Sequence, residues 1–398
     1  MIMVRALGRT LGWSVFLAVS WTWCIGMFLP TLMIRDGGVP FFLAFLIPNV
    51  LGAASVGWVL RDRDRSSRFV APRRTMMLVF SAVTIAFHAY FLVWRSGLAL
   101  QADWPEMLGG VVLGISLVGN AIAVRRRVDW LPALVTLLLS ACLAAVLVAF
   151  PAGAGGEAAA TAVGGLAMVT TLGFLLCPYL DLTFNRAAQN APSPRAAFTI
   201  GFFVIFLATI LLVTRGRVLW SPASAPYFIS EGWYQASAGA HFGAQAMFTV
   251  AAHIAAVRRV ATTGEIQTQA LGAPAAPRAA AWVAVPIVIG LALGVALFLL
   301  APQASNGEVS LPGFSGPISL HEVGYRVFLG AYGLVFPAWL LMTSRGRRDL
   351  DPGTLAWTVA VCALAAPFLW IGAVGRQEEW LYPGVAIVLL GAAVRTRM

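Results

Sequence analysis

The chain has 398 residues, 60% of them hydrophobic and 11% charged, with a mean hydropathy of +0.83. Those values exclude an ordinary soluble domain and indicate an integral membrane protein. All 27 basic residues are arginine, and the net charge is +11; because they fall in short clusters between apolar segments, with no aromatic-interleaved basic face, membrane sorting explains them and nucleic acid does not.

Twelve apolar segments each supply the ~20 residues that a helical crossing needs. They lie near 11–34, 39–60, 75–95, 105–124, 130–151, 158–185, 195–214, 236–257, 280–301, 321–343, 353–374 and 379–395. Arg5 and Arg9 precede the first, which is longer than a signal-peptide core and lacks a small-residue cleavage site, so it reads as an uncleaved span. Arginines then gather in alternate connections, at Arg61 to Arg74, Arg125 to Arg127, Arg186 and Arg195, Arg258 to Arg278, Arg345 to Arg348, and Arg395 and Arg397. The intervening connections hold only Arg35, Arg95, Arg215, Arg217 and Arg376. This alternation places both termini in the cytoplasm, with an even number of spans, in a cell inner membrane.

The first span ends WCIGMFLPTLMIRDGG and the sixth contains TLGFLLCPYLDL. Each carries a glycine and then a proline near mid-span, which predicts local unwinding and backbone groups left open toward a cavity. The bland alternative is that Gly and Pro are simply commoner in membrane helices. Five spans separate the two, so they run in opposite directions and the two five-span units have inverted topology.

On span count, the 5+5+2 arrangement and the two interrupted helices, the chain resembles the LeuT-fold transporters, the amino acid, polyamine and organocation superfamily that includes sodium/solute symporters. The resemblance implies an all-α membrane fold of about twelve transmembrane helices. A first repeat would occupy residues 1–151, an inverted repeat 158–343, and two additional C-terminal helices 353–398. It also implies a substrate-lining role for Gly26, Met27, Phe28 and Pro30, and for Gly173, Phe174, Cys177 and Pro178. One departure counts against sodium: where sodium-coupled members commonly carry adjacent hydroxyls on the eighth helix, this chain has Thr249 followed by Val250, Ala251 and Ala252.

Of the sixteen acids, fifteen fall in loops or near predicted span ends, and Asp181 is the exception. Intramembrane acids usually face a pathway, so it reads as a proton carrier, a cation ligand or an anchor for a cationic group, or else as a structural acid paired with Arg186. His241, Gln245, Thr249 and His253 form one polar stripe on the eighth span, either a solute or proton path or a set of interhelical hydrogen bonds. His88 shares a stripe with Ser81 and Thr84 and is a substrate-lining or packing residue; Asn49 and Asn120 read as packing groups. Glu322 and Arg326 stand in the favourable i,i+4 order for an ion pair, as an external gate or a clamp. The 215–235 connection, with Tyr227, Phe228, Trp233 and Tyr234, reads as a lid or as interfacial anchors, and the Gly, Pro and Ser-rich 302–320 connection as a second long outer loop.

No catalytic motif, cofactor motif or metal-ligand spacing occurs, and the four cysteines all lie inside apolar segments. The sequence therefore points to a non-enzymatic secondary transporter that moves a small neutral or zwitterionic solute by alternating access, coupled to H+ or Na+, without a cofactor. Three alternatives stay open. GWVLRDRDRSSR at 57–68 resembles the glycine and Asp-Arg loop of the major facilitator superfamily, although the 186–195 connection is short for that group's central loop. A non-transporting sensor or assembly protein on a transporter scaffold is the second, and a lipid-directed membrane enzyme the third.

Overall fold

The first helix stops about one turn short of Gly26. The computed structural model describes residues 2–99, 130–149, 163–218, 231–269, 277–300, 308–309, 318–343 and 349–397. In it α1 (Ile2–Trp21) ends at Thr22 and Trp23, and α2 (Cys24–Val59) begins at once. Side chains reinforce the last turn of α1, and one takes up its open Ser20 carbonyl. Ser20 Oγ donates to Leu17 O at 3.1 Å, Thr22 Oγ1 to Ala18 O at 2.7 Å, and the Trp23 indole N–H to Ser20 O.

The second interruption is at Asp181. There α6 (Gly164–Leu180) meets α7 (Leu182–Asn190) at a bend of 56°. Asp181 is extended, and its Oδ1 accepts from the Thr183 backbone N–H at 2.6 Å and the Thr183 hydroxyl at 2.7 Å, an N-cap that starts α7. Gly26 to Pro30 and Gly173 to Pro178 are therefore helical, a correction to the unwinding expected there. A proline removes one donor and bends a helix. The chain breaks instead where neighbouring side chains can satisfy the freed backbone.

Within α2 the backbone leaves helical geometry at Gly37 and Gly38; Gly38, at φ 69° and ψ −159°, occupies a region essentially closed to residues with a Cβ. The chain folds back there. Trp21 Nε1 donates to Asn49 Oδ1 at 2.6 Å, whereas a straight helix would hold residues 28 positions apart roughly 40 Å from one another. The returning limb packs along α6 with numbers rising together, Thr170 Oγ1 donating to Ala44 O at 2.7 Å and Ser55 Oγ meeting the Tyr179 hydroxyl at 2.9 Å. Between those contacts Gly52 lies so close to the Phe174 carbonyl that a Cβ would sit 1.9 Å from its oxygen. Close backbone approach at small residues is how membrane helices gain contact without a hydrophobic drive between them.

Next come α3 (Arg63–Val70), α4 (Arg74–Ala99) and α5 (Trp130–Ala149), which precede α6. Beyond α7, α8 (Pro194–Ile200) and α9 (Leu207–Val218) are joined by a π-helical turn, Gly201–Phe206. Then follow α10 (Glu231–Gln269) and α11 (Pro277–Leu300), which lies against α4 with Gly290 at the Ala86 carbonyl. Strands β1 (Glu308–Val309) and β2 (Ile318–Ser319) pair antiparallel ahead of α12 (Leu320–Gly330). A second π-turn, Ala331–Val335, leads into α13 (Phe336–Met342), and a third, Trp370–Val374, closes α14 (Pro352–Leu369) before α15 (Leu381–Arg397).

Six helices among the described residues are long and apolar enough to cross a bilayer, or seven with the bent α6–α7 pair. Large apolar side chains on them face outward. Val39, Leu43, Ile47 and Leu51 form an exposed stripe on α2, and Val285, Val288, Ile289 and Leu299 are exposed on α11. Water would penalise such faces and lipid does not. Apart from the short β1–β2 pair the described chain is helical, and the protein is an all-α, multi-pass membrane protein. The expected fourth span, 105–124 with Asn120, and most of the 215–235 lid segment lie outside the described residues.

Candidate functional site

The two interruptions meet. Thr183 Oγ1 is 3.4 Å from Ser20 Oγ, and the Trp21 and Phe184 rings lie 4.8 Å apart. Four helix ends therefore converge in the interior. The first intrahelical bond of α2 runs from Met27 N–H to Trp23 O at 2.9 Å, so the Ile25 and Gly26 N–H groups precede it and have no acceptor within their own helix. The Cys24 N–H points to His88 Nε2 at 3.4 Å.

Beside this junction is a cavity of about 230 Å³, walled by α2, α6, the α12–π-turn segment and α14. Trp21, Trp23, Phe174 and Tyr332 give it aromatic surfaces, and Asn49 and Thr170 supply polar ones. At its far end stand Asp36, Arg326 and Glu378. Of the residues expected to line a site, Gly26, Gly173, Phe174 and Cys177 are on this wall. Met27, Phe28, Pro30, Pro178, His88 and Gln245 are not. Phe28 is on the opposite side of α2, packed against Trp94 at 5.0 Å and Tyr325 at 5.2 Å. His88 is fixed by Thr84 O at 2.7 Å from Nδ1, and Gln245 Nε2 donates to Ser140 Oγ at 2.8 Å.

The four residues expected to couple an ion divide. Asp181 and His253 come together, Oδ2 to Nε2 at 3.8 Å, both side chains wholly buried. Thr249 is one turn before His253 on α10 and buried, its hydroxyl without a hydrogen-bond partner among the described residues. His241 is about 18 Å further along the helix, against Phe242. Arg186 does not pair with Asp181; its guanidinium stacks near Phe16 at 5.5 Å and Trp13 at 5.7 Å.

Glu322 and Arg326 do pair, Arg326 Nε donating to Glu322 Oε1 at 2.9 Å, within a larger cluster. Arg35 grips both Glu322 oxygens at 2.7 and 2.8 Å, Arg326 also bonds Asp36 and the Ala373 carbonyl, and Arg376 reaches Glu322 at 3.3 Å. This ties the Gly37–Gly38 turn to α12 and to the segment after α14. Bidentate, charge-assisted contacts of this kind are geometrically selective. Next to the cluster, Glu378 presents Oε2 buried and without a hydrogen-bond partner among the described residues. Burial pushes its carboxyl up from 4.5 to about 7, with Arg326 opposing and Asp36 and Glu379 adding to the rise.

Trp21, Trp23, Tyr332, Asp36 and Glu378 were not singled out from the sequence. The signals for some of them were there: WTWC places two indoles and a threonine at mid-span, and RDGG puts a charged pair beside a turn. Among the described residues no three His, Cys, Asp or Glu side chains gather as a metal site. No protein-family model matches the chain, and no curated protein matches it in sequence.

Proposed function

We propose that this chain is a secondary active transporter with a LeuT-like architecture: about twelve spans in a 5+5 inverted repeat with two further helices, set in a cell inner membrane with both termini cytoplasmic. The observation that carries this reading is the meeting of two interrupted helices at Ser20 and Thr183, beside a cavity. Interrupted helices meeting in the interior are how many secondary transporters expose backbone groups to a solute and an ion. In this reading α1, α2, α6 and α7 form the moving cradle, and the Arg35–Asp36–Glu322–Arg326–Arg376 cluster is the outer gate.

The solute is small and neutral or zwitterionic. The cavity is smaller than pockets that take drug-sized ligands, and its wall is mostly apolar and aromatic, with charge confined to one end. Free N–H groups at the start of α2 suit a partial negative charge on the guest. Transport is coupled to a cation, H+ or Na+.

The test is uptake by purified protein in proteoliposomes, using a panel of radiolabelled small neutral and zwitterionic solutes. Gly330 lines the cavity, and a Cβ there meets nothing within 4 Å, so Gly330→Phe fills space without a backbone clash. The expected result is saturable uptake of at least one solute in the native protein and its loss in Gly330→Phe. Binding or uptake that ignores the filled cavity would rule out this site, and no flux of any solute would favour a sensor on the same scaffold.

A further inference from the structure

Asp181 and His253 each have one polar atom engaged and one left open. Asp181 Oδ1 is held by Thr183, and His253 Nδ1 is 3.1 Å from Ser81 Oγ. Asp181 Oδ2 and His253 Nε2 face each other at 3.8 Å, buried, and neither has a hydrogen-bond partner among the described residues. Buried polar atoms in native structures are nearly always hydrogen-bonded, so such a pair calls for an explanation in chemistry. The gap exceeds hydrogen-bond length, and an approach of roughly 1 Å closes it.

We propose that Asp181 and His253 share one exchangeable proton and that this proton is the coupling ion, an inference that rests on the transporter reading above. In the loaded state Asp181 Oδ2–H donates to His253 Nε2, and Nδ1–H donates to Ser81 Oγ. In the unloaded state Nε2–H donates to the Asp181 carboxylate, and the Ser81 hydroxyl donates to Nδ1. The two states differ by one proton: the Asp181 proton moves to Nε2, and the Nδ1 proton leaves by way of Ser81. A hydroxyl can donate or accept by rotating, so both states keep their hydrogen bonds.

The neighbouring titratable groups are already committed. His88 is held at both ring nitrogens, by Thr84 O and by the Cys24 N–H. The Tyr332 hydroxyl meets Thr84 Oγ1 at 3.0 Å, and the Cys177 thiol donates to Tyr332 O at 3.2 Å. A hard cation needs several oxygens and an imidazole is a poor ligand for one, so the donor set suits a proton better than sodium. Trp23 connects the pair to the solute: its indole walls the cavity on one side and stands edge-on to His253 at 5.7 Å on the other.

The experiment is a pH titration of ring-15N-histidine-labelled full-length protein in lipid nanodiscs, followed by NMR. With four histidines, single His→Gln variants assign every signal. Between about pH 5 and 9 the His253 ring is expected to exchange its N–H between Nδ1 and Nε2. Asp181→Asn retains an N-cap acceptor, so the fold persists, and it should abolish that exchange; Ser81→Ala should hold the ring in one tautomer. A His253 ring that never switches, or that switches unchanged in Asp181→Asn, overturns the proposal. So do His253 signals that move when sodium replaces choline at fixed pH. The readout contains no solute, so its failure removes the proton pair alone, whereas absent uptake with an intact switch removes the transport reading.

Discussion

Two of the buried polar assemblies among the described residues are built on opposite terms. In the cluster around Glu322, three arginines and two acids share six charge-assisted hydrogen bonds, and Arg326 also reaches a backbone carbonyl. At Asp181 and His253 there are two titratable groups, and each leaves an atom open. A closed network holds parts in place, because any movement has to break several bonds together. An open pair can change protonation without dismantling anything around it. One region fastens the molecule, and the other leaves room for a change of charge.

The largest effect should come from unfastening the closed network. Arg326→Ala is expected to lower unfolding stability by about 2–3 kcal/mol, since it removes charge-assisted hydrogen bonds to Asp36 and Glu322 while Arg35 and Arg376 still compensate both acids; thermal unfolding in detergent measures this. A loss under about 1 kcal/mol, as for an exposed pair, would show the cluster to be solvated and erase the contrast.

Asp181 should behave differently in its two roles. Asp181→Ala removes the N-cap of α7 and should cost about 1–2 kcal/mol, whereas Asp181→Asn retains an acceptor for Thr183 N–H and should cost less than half of that. Both should abolish proton-driven uptake alike. Equal stability losses in the two variants would mean that the acid, and not the cap, holds the bend.

Glu378 offers a smaller, pH-dependent probe at the mouth. Its folded value of about 7 is above its ordinary 4.5, so the folded state retains a proton that the unfolded chain has released. Stability contributed by that neutral carboxyl is therefore present in acid, declines as pH rises from about 4.5 through about 7, and is flat beyond. Glu378→Gln should flatten this part of the profile by up to about 1–2 kcal/mol, read as melting temperature against pH. An unchanged profile would place the carboxylate in water.

Gly330→Ala gives the smallest effect and the opposite sign. Alanine in a helix is favoured over glycine by up to about 1 kcal/mol, and here nothing lies in the way of the methyl group. A net gain of about 0.5 kcal/mol is expected from chemical denaturation, and a loss would mean that the cavity closes on that spot.

Much of the helical plan is legible in the sequence because apolar runs divided by arginine clusters are a strong, local signal. The i,i+4 order of Glu322 and Arg326 likewise anticipates their contact. The position of the breaks is less visible. Gly26 and Pro30, and Gly173 and Pro178, mark the right two spans, but a helix ends where its open backbone groups find partners, and those came from Trp23 and Asp181. The polar stripe on α10 could not be resolved from sequence either: only its last member meets an acid, because α6 ends at the level of His253 and not of His241. Asp36 and Glu378 were hidden by their place at span ends, where an acid is ordinarily a solvated one.

The π-turns at Ala331–Val335 and Trp370–Val374 each make room for one residue more than regular winding requires. Sliding that surplus along by a position re-aims each side chain it passes by about 100° without lengthening the rod or moving its anchored ends. Tyr332 and Ala373 ride on these two segments and belong to the cavity wall, so the register of each surplus sets which side chains face the chamber. A slide of either surplus would therefore turn a different side chain toward the chamber while the ends of that rod stay where they are.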